Sequence, residues 1–112
     1  MEKQLRRLLA ENEAQLARLE REHERMVEAA EGSNADDEHD PEGSTIAFER
    51  EQLTAALERT RRTGDELRTA LAELADGRYG VCERCGRPIA PERLEARPQS
   101  RTCIDCARSA GN

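Results

Sequence analysis

Four cysteines fall in two pairs, Cys82-x2-Cys85 and Cys103-x2-Cys106, with 17 residues between the pairs. Each C-x2-C sets two thiols on one tight knuckle, and 17 residues are enough chain to bring the two knuckles together. Four thiolates suit tetrahedral Zn²⁺, and the spacing fits a zinc ribbon or finger. Gly86 directly follows the first knuckle, where a positive φ is easy only for glycine. With cysteine at all four places no coordination position is left for water, so the expected zinc is structural and not a hydrolytic centre. A mononuclear iron site or a redox dithiol pair would draw on the same residues. The stretch RYGVCERCGRPIAPERLEARPQSRT holds little to bury, so metal binding would supply folding free energy that this segment otherwise lacks.

Upstream the pattern is helical. Leu5, Leu9, Asn12, Leu16, Leu19, His23, Met26 and Ala30 follow alternating steps of four and three, a heptad seam. Glu, Arg, Gln and Ala fill the other positions and favour helix. Gly32 and Asn34 stop the run. A second seam follows through Ile46, Leu53, Leu57, Thr60, Gly64, Leu67, Leu71 and Leu74. Its start is marked twice, by Asp40-Pro41 and by Ser44, and ADGRYG ends it. Two apolar stripes joined by a loop of about 12–15 residues should fold back on each other. The expected fold is therefore mainly α. Residues 1–76 form a long antiparallel coiled-coil hairpin with an acidic tip at about 32–45, and residues 77–112 form a small four-cysteine zinc finger with a short C-terminal helix. A dimeric or tetrameric bundle would bury the same stripes; the expectation is a monomer. A bend near residue 38 would set Asn12 opposite Gly64, with Asn12 fixing register. His23 reads as a tolerated seam residue.

Charge excludes several roles. The chain carries 18 basic and 24 acidic residues, a net −6. Residues 1–76 hold 11 basic and 20 acidic side chains, a net −9, and residues 77–112 hold seven and four, a net +3. Tight binding to duplex DNA needs phosphate neutralisation, so none is expected. Aromatics make up 2% of the chain, too few for a platform that stacks single-stranded bases. No apolar run is long enough for a signal peptide or membrane span, so the expected location is the cytoplasm, where thiols stay reduced and bind metal. There is no phosphate-binding glycine loop, no nucleophile elbow and no recognisable Cys–His pairing, and an enzyme is not expected.

The stretch DGRYGVCERCGRPIAPERLEARPQSRTCIDCA closely resembles the zinc-finger signature of the DksA/TraR family of bacterial transcription regulators. Gly77, Tyr79, Gly80, Cys82, Cys85, Gly86, Ile89, Arg93, Leu94, Ala96, Pro98, Cys103 and Cys106 carry the match. The resemblance implies a regulator that binds RNA polymerase and not promoter DNA. It implies a coiled coil inserted into the polymerase's secondary channel, with acidic tip residues influencing initiation. The family's tip motif D-x-x-D-x-A is met by DEHDPE, with Asp37 and Asp40 on the two Asp positions and Glu42 in place of Ala. Two other classes stay open from the residues alone: a zinc-capped coiled-coil adaptor for another protein, and a thiol redox sensor that releases zinc on oxidation.

Overall fold

The computed structural model describes residues 1–32 and 41–110. They form helices α1 (Glu2–Gly32), α2 (Pro41–Ala75), α3 (Pro91–Ala96) and α4 (Ile104–Ala110). The fold is mainly α: an antiparallel helical hairpin followed by a small four-cysteine finger that ends in a short helix. Every expected seam position of α1 is buried or half-buried. In α2 Leu53, Leu57, Thr60, Gly64 and Leu67 are buried, and Leu71 and Leu74 are half-buried. Among the described residues no helix is long and apolar enough to cross a membrane.

Packing divides the chain into two compact units, Met1–Glu11 with Thr63–Asn112, and Asn12–Arg62. In the first, Leu5 near the start of α1 meets Leu67 and Ala70 near the end of α2. Leu8, Leu9, Leu71, Leu74 and Tyr79 pack around this core. α2 stops in a Schellman motif. The Gly77 amide donates to the Leu74 carbonyl at 3.3 Å, and the Arg78 amide donates to the Glu73 carbonyl at 2.8 Å. Gly77 sits at φ +74°, the left-handed conformation that this stop requires.

In the second unit Leu53, Leu57, Thr60 and Asn12 are buried. The Asn12 amide donates to the Thr60 carbonyl at 3.1 Å, while the Thr60 hydroxyl donates back to the Ala56 carbonyl at 2.8 Å. One buried amide is thus satisfied across the pair. The Thr60 carbonyl lies one turn before Gly64 and, in an α-helix, faces the Gly64 amide, so Asn12 contacts α2 close to the expected position. α1 runs to Gly32 and α2 starts at Pro41. The interval between the helices is residues 33–40, shorter than the 12–15 residues anticipated. Pro41 occupies the first position of α2, where its missing N–H has no helical partner to lose.

One seam position fails. Ile46 is 48% exposed. The stripe steps seven residues from Ile46 to Leu53, and Glu49 and Arg50 stand where an apolar side chain would continue the contact.

Candidate metal centre

The finger follows from short local devices. Gly86, at φ +75°, turns the chain so that its amide donates to the Cys82 carbonyl at 2.9 Å. The Cys82 amide in turn donates to the Arg87 carbonyl at 2.9 Å, and the Ile89 amide donates to the Gly80 carbonyl at 2.8 Å. A single antiparallel bridge between Val81 and Pro88 closes this knuckle. The second knuckle sits at the start of α4, where the Ala107 amide donates to the Cys103 carbonyl at 2.9 Å. α3 begins at Pro91, as its preset φ favours. Two bonds join the knuckles, the Glu83 amide to the Arg101 carbonyl (2.9 Å) and an Arg84 guanidinium nitrogen to the Cys106 carbonyl (3.3 Å), and Arg93 Nε on α3 donates to the Thr102 carbonyl beside the second (2.9 Å).

These devices bring all four cysteines together. The sulfurs of Cys82, Cys85, Cys103 and Cys106 lie within 4.8 Å of one another, the one metal-capable cluster among the described residues. Cys85 Sγ and Cys103 Sγ are 3.8 Å apart. A tetrahedral zinc with Zn–S bonds of about 2.3 Å would set its sulfurs about 3.8 Å apart, so the cluster has the size such an ion needs. Cys82 is buried, Cys103 and Cys106 are half-buried, and Cys85 is exposed. The electrostatics fit the same ion. Backbone N–H groups, that of Cys85 first and that of Cys103 next, point at the Cys82 sulfur and hold its thiol down at about 6. The Arg87 amide and guanidinium lower Cys85. Cys106, hydrogen-bonded to Cys103, is pushed up to about 12. Thiolates this close repel one another, and a bound divalent cation supplies the charge that lets all four ionise.

The first unit ties the finger to the helical pair. The Tyr79 hydroxyl donates to the Pro98 carbonyl at 2.8 Å, while its ring packs on the Leu5, Leu67 and Ala70 core. Burial raises its phenol pKa above the ordinary value. Arg101 reaches Glu83 at 2.9 Å and Glu73 on α2 at 3.8 Å.

Residues 77–110 match the prokaryotic dksA/traR C4-type zinc finger. General stress protein 16O of Bacillus subtilis is 35% identical over 98 residues, 87% of this chain and 60% of the relative. The RNA polymerase-binding transcription factor DksA of Haemophilus influenzae is 32% identical over 91 residues, 75% of this chain and 63% of the relative. The solved structure of transcription factor DksA2 from Pseudomonas aeruginosa superposes with a TM-score of 0.67 at 28% identity, covering 98% of this chain and 82% of that one. Residues 77–110 form the C4 zinc-finger segment of the DksA/TraR family. The chain spans about 60% of the length of the first curated relatives it matches. The relatives named for a function are transcription factors.

Several positions that matched the family signature now have physical roles. Ile89, which follows the first knuckle in the chain, is buried, Leu94 is half-buried, and Arg93, Tyr79 and Pro98 make the bonds above. Arg101 was not singled out from the sequence. Its role depends on two acids distant in the chain, and an arginine among 18 basic residues gives no signal. Asp37 and Asp40 lie outside the described residues. Glu42 falls within the first turn of α2 and not in a loop. His23 is half-buried in the seam of α1.

Proposed function

We propose that this chain is a transcription regulator that binds RNA polymerase, with Cys82, Cys85, Cys103 and Cys106 holding one structural Zn²⁺. The observation that carries this reading is the four-sulfur cluster within a segment that matches the family's zinc finger. The polymerase-binding DksA relative and the fold shared with DksA2 support it. In this reading residues 77–112 form the finger, residues 1–76 form the hairpin, and the monomer works in the cytoplasm, where the polymerase is. The hairpin enters the secondary channel and brings the acidic segment at about 32–45 towards the catalytic Mg²⁺. Asp37, Asp40 and Glu42 act there by charge, which counts for more in a narrow, poorly solvated passage than on an open surface. Direct tight binding to DNA is not part of the mechanism.

The test is run-off transcription with purified polymerase of the source bacterium, alongside a binding titration. Wild type binds and changes initiation. Replacing both Asp37 and Asp40 by Asn keeps the binding and removes most of the effect, because Asn preserves shape and deletes charge. Absence of polymerase binding by the zinc-loaded wild type overturns the reading.

A further inference from the structure

Phe48 is the only phenylalanine in the chain and one of two aromatic residues, yet it is 60% exposed. Single exposed apolar side chains are ordinary. This one stands beside an open hollow of about 320 Å³ lined by Glu22, Met26, Phe48, Glu49, Gln52 and Leu53. Met26 is half-buried and Leu53 is buried, so the hollow has an apolar floor next to an uncovered ring. Ile46, two residues before Phe48, is also exposed. Methionine is a flexible, adaptable lining, and aromatic side chains that insert into a partner's pocket commonly dominate binding energy.

The surrounding charge decides what kind of surface can cover this patch. Residues 20–31 and 45–52 carry seven acidic and three basic side chains, a net −4. A nucleic acid would be repelled. A second copy would set −4 against −4 and is disfavoured in the same way. A basic protein groove with an apolar socket matches both the ring and the charge.

We infer that Phe48, with the Met26 and Leu53 hollow beside it, is an apolar anchor by which this part of the helical pair docks in a basic groove of RNA polymerase. This inference rests on the proposed polymerase-binding function and adds the contact that would hold the acidic segment in place. Phe48 supplies affinity, while the tip carboxylates supply the effect on initiation.

The test is equilibrium competition for purified polymerase using full-length zinc-loaded chains: wild type, Phe48→Ala and Phe48→Leu. Circular dichroism confirms that each variant retains its helix. Phe48→Ala is expected to bind about tenfold or more weakly, the loss typical of a buried interface anchor, and Phe48→Leu to stay close to wild type. If wild type binds and Phe48→Ala binds within about twofold of it, the anchor is overturned while polymerase binding stands. If wild type does not bind, the proposed function fails and the anchor fails with it. A wild-type dimer in sedimentation that Phe48→Ala dissolves would assign the patch to a second copy and overturn the inference.

Discussion

Removing zinc should loosen more than the finger. The ties between the finger and the helices it packs on run through Tyr79 and Arg101. The 2.8 Å hydrogen bond from Tyr79 to the Pro98 carbonyl contributes about 1 kcal/mol net. The half-buried ring on the Leu5, Leu67 and Ala70 core adds about 1 kcal/mol, a fraction of full aromatic burial. The ion pairs of Arg101, itself 39% exposed, add less than about 1 kcal/mol after solvent screening. The total is about 2–3 kcal/mol, or roughly 30- to 150-fold in an opening equilibrium. The assay is hydrogen exchange on protein carrying one Zn²⁺ per chain, before and after chelation. The finger amides should lose protection outright, and the α2 amides of residues 66–74 should exchange faster by about that factor. If those α2 amides keep their protection after chelation, Tyr79 and Arg101 do not couple the finger to the helices, and the reasoning fails.

Two further outcomes follow from burial and titration. Leu67→Ala removes a fully buried side chain and should cost about 2–5 kcal/mol in thermal or urea unfolding, whereas Ile46→Ala, at an exposed position, should stay within about 0.5 kcal/mol of wild type. The raised phenol pKa of Tyr79 means that its contribution is complete below the ordinary value of about 10 and is lost as pH rises through the folded-state value. Melting from pH 8 to 11 should therefore show wild type more stable than Tyr79→Phe at the low end and the gap closing at the high end. A gap that is constant across the range would contradict the raised phenol pKa that burial gives Tyr79.

The parts of the fold that were legible in the sequence rest on periodic or fixed-spacing signals. The α1 stripe from Leu5 to Ala30 is buried or half-buried at every expected position, because a 3.5-residue repeat on a helix specifies a face whatever the partner. The cysteine spacing pointed to the cluster, since two knuckles and one metal-sized gap are local properties. The atom that satisfies Asn12 was not legible, because a side-chain amide on the seam can reach a carbonyl on either of two adjacent turns; here it is that of Thr60. The joining of the first eleven residues with the finger in one compact unit was hidden too. It depends on Tyr79 reaching the core at Leu5 and on Arg101 reaching Glu73, contacts between positions far apart in the chain. Ile46 shows the opposite failure: an apolar residue in phase with the stripe stays exposed because the next apolar neighbour is two turns away.

The most direct measurement concerns where the acidic segment goes. With the polymerase's catalytic Mg²⁺ replaced by Fe²⁺, hydroxyl radicals formed at the active site cut any backbone held close to it. The account predicts that bound, end-labelled chain is cut within residues 32–45, and that excess Mg²⁺ abolishes the cuts. Retained binding with no cuts in that segment, or with cuts only in the finger, would contradict the claim that the acidic segment is delivered to the catalytic centre.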